Sequence, residues 1–361
     1  MKFLFIAALM GLTHFTLNAQ CNGHASLCGK AYDEVAYLTT HNAFNTSADG
    51  FSLPNQNNTL TQQLNEGVRG FMLDVYNYFG TPTVYHGNFI LGTSPLSDNL
   101  AEFKNFLDAN PNEVVTIILE CNVSANDIED EINDAGLSPY LYTHNGTWPT
   151  LQDMIDSNTR LVFFSDVDDA SASQGWYHYM WDWMVETHYS INDINDFNCD
   201  YNRGDSLNDL FIFNHFVTSG LTGTGQEAES QQANSNPFLL DRMLQCQAEK
   251  GKFPNFITLD FYELGDGLDA TNTMNGIDPL DVPDSEDNIQ VYPNPFSDQL
   301  HLNRKGLSVS DVQLFDSKGV NVIDKVTVLL SKDFLTLETN TLPKGIYWLQ
   351  VGEQMVKMTK L

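Results

Sequence analysis

The chain has 361 residues, enough for one large domain and one small one. Its hydrophobic content of 42% and aromatic content of 12% are those of a folded protein rather than a disordered one. The formal net charge of -30 repels nucleic acid and anionic lipid surfaces, so the composition argues against nucleic-acid binding. The same acidity suits divalent cations, which take oxygen ligands.

Residues 1–19 have the pattern of a secretory signal peptide. Lys2 supplies the positive start, an apolar core runs from Phe3 to Leu12, and Ala19 precedes the expected cleavage site. That core is too short to cross a bilayer. We therefore expect an exported, non-lipidated chain, and no later stretch of the sequence predicts a membrane helix.

Export changes the interpretation of the five cysteines. Cys21 and Cys28 flank a short loop, and an oxidising compartment favours a disulfide between them, with a zinc site as the alternative. Cys199 and Cys246 are candidates for a second bridge. Cys121 follows an apolar run and is expected to be a buried thiol.

Residues 20–265 alternate short apolar runs with longer mixed segments. The runs are nearly continuous in apolar character, which predicts parallel strands buried on both faces. Residues 97–111 between two of them predict a helix, capped by Ser97 or Asp98 and stopped by Pro111. Repeated βα units predict an α/β fold of the irregular TIM-barrel type. The runs are VAYLTT, GFMLDVY, TPTVYH, VVTIILE, RLVFFSD, LFIFNHF and NFITLDFY.

Nearly every predicted strand ends in a residue that can do chemistry. The carboxyl ends of barrel strands converge on one face, where active sites are built. The strand-end residues are His41, Asp74, His86, Glu120, Asp166, His215 and Asp260.

Residues 266–288 are rich in Asp, Gly, Pro and Asn and predict an acidic linker, for which loose calcium binding is the less favoured interpretation. Residues 289–361 predict a small all-β sandwich, because short alternating strands are separated by turns such as Ser317-Lys318-Gly319.

The last part of the chain resembles the C-terminal sorting domain of the type IX (Por) secretion system. The motifs are VYPNP at residues 291–295, the DSKG turn at residues 316–319, and KGIY at residues 344–347 with the basic end of the chain. The resemblance implies an interaction with the type IX secretion machinery. It also implies a secreted or outer-membrane cell-surface protein.

Two histidines and three oxygen donors stand out among the strand ends. His41 and His86 would supply an acid and a base near neutral pH. Asn42, Asp74 and Glu120 are hard ligands suited to Ca²⁺ or Mg²⁺. A divalent cation beside two histidines suits cleavage of a phosphodiester.

The stretches TTHNAFN, QQLNEGVRGFMLDVY, VYHGN and VVTIILE resemble the catalytic X domain of phosphatidylinositol-specific phospholipases C, with weaker similarity through LFIFNHF and ITLDFYELGD. The resemblance implies that His41 is the general base and His86 the general acid. It places Asn42, Asp74 and Glu120 at the metal-ligand positions of the calcium-dependent members.

Other roles are expected in the same site. Asp260 would orient His41, and Tyr262 would stack on a polyol ring. Arg69 and His215 are candidate substrate-binding residues, although Arg69 equally suits a buried ion pair and His215 more often suits a core position. The aromatic segment GWYHYMWDWM at residues 175–184 predicts packing rather than a membrane or polyol contact.

Two positions depart from the family pattern. Calcium-dependent members carry an acidic residue where this chain has Met72, and metal-independent members carry an arginine where it has Tyr76. We expect Ca²⁺, or alternatively Mg²⁺, held by fewer protein ligands together with water and substrate phosphate. Catalysis without a metal is the less favoured interpretation.

These observations predict an exported phospholipase C-like phosphodiesterase, formally a lyase, that acts on an inositol phospholipid or a related phosphodiester. Contact with a membrane surface stays open, because a calcium bridge to lipid phosphates or a soluble substrate such as a released glycosylated inositol phosphate fits the acidic charge better. One alternative is a phosphodiesterase of the glycerophosphodiester type. The other is a surface binding protein that has kept the barrel but lost turnover. Nothing in the sequence indicates an oligomer.

Overall fold

The computed structural model describes residues 20–169, 171, 175–218, 224–277, 290–292, 296–303, 312–316, 318–330, 334–351 and 354–360. The chain divides into two compact units, residues 1–283 and 284–361. The predicted signal peptide and residues 278–288 of the predicted linker lie outside the described residues.

The first unit is built on one curled sheet with parallel strands at its centre. Its strands are β1 (Tyr37–Thr40), β2 (Gly70–Tyr78), β3 (Thr81–Val84), β4 (Ser94–Pro95), β5 (Val115–Asn122), β6 (Leu161–Ser165), β7 (Tyr177–Tyr179), β8 (Met184–Thr187), β9 (Tyr201–Gly204), β10 (Leu210–Asn214) and β11 (Phe256–Leu259). The main order is β7-β6-β5-β2-β1-β11-β10-β8-β9, in which all neighbours except β8 and β9 pair in parallel. The hairpin strands β3 and β4 extend from β2. The predicted irregular TIM barrel is confirmed, as a sheet that is open between β7 and β9 in the described part of the chain.

Most of the helices pack against the outside of this sheet, and one, residues 151–156, packs Leu151 and Met154 into the apolar cluster on its inner side. They are α1 (Leu60–Asn65), α2 (Leu96–Ala109), α3 (Ala125–Asp134), α4 (Leu151–Asp156), α5 (Glu227–Ala233), α6 (Phe238–Lys250) and α7 (Gly267–Met274). The predicted cap of α2 at Ser97 or Asp98 is wrong, because the helix begins at the fully buried Leu96 with Pro95 as N-cap. Proline suits a helix start because its φ is already close to the helical value.

Alternation along each strand separates two apolar clusters. Phe71 and Leu73 of β2 pack outward with the helices, whereas Met72 packs inward with Ile118 and Phe164 of the neighbouring strands. A residue two positions beyond an inward-facing one again faces the interior. The carboxyl-terminal continuation of each inward row therefore reaches the mouth of the barrel.

The predicted linker begins too early. Residues 267–274 form α7, which buries Ala270 and ends at Asn275, whose side chain bonds the backbone N–H and C=O of Ala36, each at 2.8 Å. The polar composition of this segment hid the helix, because only a narrow face of it is buried. The barrel unit thus continues to at least Ile277, which is buried against it.

Both predicted disulfides are confirmed. Cys21 is bonded to Cys28, and Cys199 is bonded to Cys246, each with a Cα–Cα distance of 5.1 Å. Cys121 is a buried free thiol, as predicted.

The second unit contains two small antiparallel sheets, which confirms the predicted all-β domain. The strands are β12 (Gln290–Tyr292), β13 (Gln299–Asn303), β14 (Val312–Asp316), β15 (Thr327–Leu330), β16 (Phe334–Glu338), β17 (Gly345–Val351) and β18 (Gln354–Lys360). One sheet has the strand order β12-β13-β16-β15 and the other β14-β17-β18. Alternation in β17 buries Tyr347, Leu349 and Val351 in a core shared with Leu300 and Leu337. Within the described residues, no helix of either unit is both long and apolar enough to cross a bilayer.

Candidate active site

The mouth of the barrel gathers the polar residues that follow the inward rows. Asp74 continues the row of Met72 on β2, Glu120 that of Ile118 on β5, and Asp166 that of Phe164 beyond β6. Asp74 and Glu120 are direct neighbours in the parallel register of β2 and β5. The site is therefore assembled by strand register rather than by one contiguous motif.

His41 is fixed in orientation on three sides. It follows β1, its Nδ1 donates to Asp260 Oδ1 at 2.9 Å, and Phe216 stacks on its ring at a centroid distance of 4.0 Å. Asp260 is fully buried and also accepts from Asn55 Nδ2 at 3.1 and 3.2 Å. With Nδ1 assigned as the donor from this hydrogen-bond pattern, His41 Nε2 is left as a proton acceptor.

His86 forms a second histidine–carboxylate pair across the mouth. Its Nδ1 donates to Asp74 Oδ2 at 3.0 Å, and Asp74 is buried. The ring centroids of His41 and His86 are 6.4 Å apart. Two imidazoles at this separation leave room for a small group that both can reach.

Asn42 lies between the two histidines in a left-handed conformation with φ 47°, which asparagine tolerates better than most residues. In one orientation of its buried carboxamide, Nδ2 is 3.2 Å from both His41 Nε2 and His86 Nδ1. In the reverse orientation, Nδ2 donates to Asp74 Oδ1 at 3.1 Å and to Oδ2 at 3.3 Å. The reverse orientation is favoured by its hydrogen bonds to Asp74. The first orientation turns Oδ1 of Asn42 towards the Asp74 carboxylate, so a cation that contacts both would favour it.

The carboxylates at the mouth disfavour one another's ionisation. Desolvation raises the pKa of Glu120, the charges of Asp74 and Asp166 raise it further, and those of His41 and Arg203 oppose the rise. Burial likewise raises the pKa of Asp166, whose Oδ1 accepts from the Cys121 N–H at 2.8 Å. This accumulation of negative charge would repel an anionic substrate unless a cation balances it.

The residues present fit a hard divalent cation in part. In the first orientation of Asn42, its Oδ1 faces the Asp74 oxygens at 3.1 and 3.3 Å, an arrangement that is repulsive unless a cation contacts both groups. Glu120 stands beside Asp74. Among the described residues, no three His, Cys, Asp or Glu side chains form a metal-binding cluster, so the amide of Asn42 is needed to complete the set.

Met72 and Tyr76 leave the expected gap in this set. Met72 packs against the inner apolar cluster. Tyr76 stacks on Tyr85 at a centroid distance of 4.2 Å. Desolvation, reinforced by the charges of Asp74 and Glu120, raises the pKa of Tyr76, so it stays a neutral phenol.

Three predicted substrate contacts are wrong. Arg69 lies at the other end of the barrel, because it immediately precedes β2 and stands five residues before Asp74, roughly 16 Å away at about 3.3 Å per residue. Its Nε pairs with Glu113 Oε2 at 2.7 Å, which is the bracing ion pair that the sequence allowed as the alternative.

His215 and Tyr262 are buried away from the mouth. His215 is one residue past the inward-facing Asn214, so it faces outward, where its Nδ1 accepts from Arg242 and its Nε2 donates to Ala233 O. Burial and the charge of Arg242 lower its pKa well below the usual value. The Tyr262 hydroxyl donates to Glu66 at 2.6 Å, and its ring belongs to the outer core.

Sequence reasoning missed four residues at or behind the mouth. Asn55 lies in a loop with no periodic pattern. Phe216 is the last residue of the predicted run LFIFNHF but lies beyond the end of β10, and its apolar side chain gave no sign of a contact with His41. Glu186 is the penultimate residue of the short strand β8, in the stretch WMVET. A polar residue near a strand end could have been recognised there, but the aromatic segment before it drew the interpretation towards packing. Arg203 lies on β9, which the sequence analysis did not predict. The aromatic segment itself packs, as predicted, with Trp176 and Met180 buried.

Comparisons with known proteins agree with this architecture. Residues 27–275 match the family described as PI-PLC X 1, and residues 290–361 match a secretion system C-terminal sorting domain. A PI-PLC X domain-containing protein of Arabidopsis thaliana is 32% identical over 279 residues, covering 69% of this chain and 63% of the relative. The chain thus spans less than two thirds of that relative's length.

Two further similarities are more distant. PI-PLC X domain-containing protein 1 of Arthroderma benhamiae is 28% identical over 280 residues, covering 71% of this chain and 90% of the relative. A mutant phosphatidylinositol-specific phospholipase C from Staphylococcus aureus has a TM-score of 0.48 at 14% identity, covering 69% of this chain and 95% of the other. From its matched residues, the chain belongs to the PI-PLC X family and carries a sorting domain of the type IX secretion route, which assigns it to the cell surface or the secreted fraction.

Proposed function

We propose that the barrel mouth cleaves the phosphodiester bond of an inositol phospholipid by two-histidine acid–base catalysis. The observation that carries the proposal is the pair of histidine–carboxylate contacts, His41 with Asp260 and His86 with Asp74, on rings 6.4 Å apart. Each imidazole has its Nδ1 engaged by a carboxylate, so proton transfer to or from a bound phosphodiester would use Nε2.

In the proposed reaction, His41 Nε2 takes the proton from the inositol 2-hydroxyl, and that oxygen forms a new bond to phosphorus. The bond from phosphorus to the glycerol oxygen breaks, and His86 Nε2 gives its proton to the departing diacylglycerol. The products are a cyclic inositol phosphate and a neutral alcohol, so no water is consumed. Asp260 stabilises the imidazolium that forms on His41, and each proton transfer is worth roughly 10²–10⁴ in rate.

Asn42, Asp74 and Glu120 would hold a Ca²⁺ ion, with Mg²⁺ as the alternative. Such an ion would stabilise negative charge on the phosphate oxygens in the transition state. The surrounding carboxylates support this assignment, because a phosphodiester would otherwise enter a site of its own charge. The calcium ligands are fewer than in calcium-dependent members, since Met72 offers no oxygen.

An apolar rim beside His86 supports a lipid substrate at a membrane surface. Phe79 is 92% exposed, Ile90 75% and Phe89 47%. From residue 75 to residue 97 the sequence has no Asp, Glu, Lys or Arg, in a chain of which 18% is charged. Such a surface would enter the apolar part of a bilayer without a charge penalty.

The turn at Phe79 indicates that this rim is not needed for folding. Phe79 and Gly80 form the two-residue loop between β2 and β3, with φ values of 51° and 91°. Asparagine or aspartate before glycine is the usual choice for such a loop, and a bulky residue there is strained by about 1 kcal/mol or more.

The test is release of cyclic inositol phosphate from phosphatidylinositol micelles, with calcium or with EGTA. We expect calcium-dependent product from the wild type, a loss of at least about 10²-fold in His41→Ala and in His86→Ala, and no change in His301→Ala, at a histidine of the second unit. A linear phosphomonoester would instead support the glycerophosphodiester type of reaction. Lipid binding without any product, from folded protein, would support the binding-protein alternative.

A further inference from the structure

Asn55 joins the His41–Asp260 pair to the proposed cation site. Its Nδ2 donates to both oxygens of Asp260, at 3.1 and 3.2 Å. In the first orientation of the Asn42 carboxamide, in which Nδ2 faces the two histidines, Asn55 Oδ1 accepts from Asn42 Nδ2 at 3.3 Å. One fully buried amide therefore contacts both the carboxylate that holds His41 and a proposed ligand of the cation.

The Asn55 amide is itself fixed in orientation. Its Oδ1 also accepts from Asn45 Nδ2 at 2.7 Å. Reversing the amide would turn Oδ1 towards the Asp260 carboxylate and Nδ2 towards the Asn45 donor, so both contacts would become repulsive. The backbone is held as well, because the Asn55 N–H donates to Asn45 O at 2.9 Å and the Asn55 C=O accepts from the Phe261 N–H at 2.8 Å. Asn55 is therefore a rigid acceptor that can orient a neighbouring amide.

The Asn42 amide, by contrast, has contacts that favour each of its two orientations. In the first, Nδ2 faces two acceptors, Asn55 Oδ1 at 3.3 Å and His41 Nε2 at 3.2 Å, while Oδ1 faces the Asp74 carboxylate. In the reverse orientation, Nδ2 donates to Asp74, but Oδ1 opposes the same two acceptors. His86 Nδ1, a donor to Asp74, lies 3.2 Å from this end of the amide and favours the reverse orientation. A cation between Asn42 Oδ1 and Asp74 requires the first orientation.

We propose that Asn55 is a positioning residue that orients the carboxamide oxygen of Asn42 towards the cation, an inference that rests on the proposed function. Without the Asn55 acceptor, the reverse orientation is stabilised relative to the first, because Asn42 Oδ1 no longer opposes another oxygen there. The cation must then break the hydrogen bonds from Asn42 to Asp74 before it binds, which lowers its apparent affinity. Asn55 thus acts on the cation through Asn42 and on His41 through Asp260.

The experiment measures binding of Ca²⁺ alone by calorimetry, with turnover of phosphatidylinositol micelles measured in parallel. Asn55→Leu removes the acceptor and keeps a side chain of similar size. Asn255→Leu is the matched control, because Asn255 is also a fully buried asparagine but immediately precedes β11, at the end of the barrel opposite to the mouth. If Asn55→Leu does not fold, Asn55→Ser removes the same acceptor and leaves space for water beside Asp260, with Asn255→Ser as its control.

We expect Asn55→Leu to lower the calcium affinity by about tenfold, equivalent to about 1.4 kcal/mol, which is close to the net contribution of one hydrogen bond. Asn255→Leu should leave the calcium affinity unchanged. Asn42→Asp supplies a second background, because both oxygens of a carboxylate are acceptors and aspartate tolerates the left-handed conformation at this position. In that background the ligand needs no orienting partner, so Asn55→Leu should cause no loss of calcium affinity.

Four results would overturn the positioning role: no calcium binding by the wild type, an unchanged affinity in folded Asn55→Leu, an equal loss in Asn255→Leu, or an equal loss in the Asn42→Asp background. Turnover alongside any of these results would leave the proposed acid–base reaction standing. Asn55-dependent calcium binding without turnover would support the positioning role and refute the proposed reaction.

Discussion

Replacing Asp260 by asparagine tests how His41 is held. The change keeps the shape of the side chain but turns one of its two acceptor oxygens into an N–H donor. Asp260 accepts from His41 Nδ1 and, with both oxygens, from Asn55 Nδ2. Asn55 cannot turn its amide to compensate, because its Oδ1 accepts from Asn45 Nδ2 at 2.7 Å.

The N–H group of the new amide must therefore either face a second donor, on Asn55 or on His41, or force the His41 proton to move from Nδ1 to Nε2. An unsatisfied buried donor costs about 1–3 kcal/mol, and the lost charge-assisted bond to the imidazolium costs about 1.5–3 kcal/mol. Since about 1.36 kcal/mol corresponds to a tenfold rate, kcat for cyclic inositol phosphate release should fall on the order of 10²–10⁴-fold, with KM little changed.

The matched control is Asp209→Asn. Asp209 accepts the ring N–H of Trp148 at 3.0 Å and precedes β10, at the end of the barrel opposite to the mouth. It should retain wild-type kcat. If folded Asp260→Asn protein keeps kcat within threefold of the wild type, orientation of His41 by Asp260 is refuted.

Three further outcomes follow from the structure. The raised pKa of Glu120 means that the folded protein binds a proton on this carboxylate more tightly than the unfolded chain does. The stability that protonated Glu120 contributes is therefore present at low pH and is lost as pH rises through the raised pKa. Glu120→Gln should therefore raise Tm in EGTA at pH 7 but not at pH 4, and should abolish the Tm shift produced by calcium; a lower Tm at pH 7 would contradict this. Phe79→Asn should preserve or raise Tm, since asparagine suits the turn. The same change should lower the affinity for phosphatidylinositol vesicles, measured by sedimentation, by roughly 10- to 100-fold, as expected when an aromatic side chain is no longer buried in the bilayer. Leu329→Asn, at an exposed apolar site of the second unit, should leave vesicle binding unchanged, and equal losses in both variants would remove the argument for the rim. Replacing Cys199 and Cys246 together by serine should lower the free energy of unfolding by roughly 4 kcal/mol in urea denaturation, the loop-entropy value for a 47-residue separation, and an unchanged midpoint would contradict that estimate.

The inward row of each strand explains which site residues the sequence could predict. Asp74, Glu120 and Asp166 each continue the inward row of a strand with a strong apolar signal, so their position at the mouth is readable from alternation. His215 follows an equally apolar strand, but it is an odd number of residues beyond the inward-facing Ile212. Because successive side chains point to opposite faces, His215 points to the outer face. Arg69 fails for a related reason, because it precedes its strand instead of following it.

The rest of the site depends on contacts that no local pattern encodes. Phe216 and Asn55 reach His41 from loops, and Arg203 enters on an antiparallel strand without a strong apolar run. The helix α7 was missed because its sequence is as polar as a linker. Such elements acquire their structure from tertiary packing, which a single sequence does not display.

The pairing of β1 with β11 determines when, during folding of the exported chain, His41 meets its partner. His41 and Asp260 are 219 positions apart, so the contact forms only after the first and last strands of the sheet have met. Closing so long a loop is entropically costly and comes after local structure has formed. A growing or unfolded chain in transit carries His41 without its partner, which makes completion of the barrel the step that sets this histidine in place.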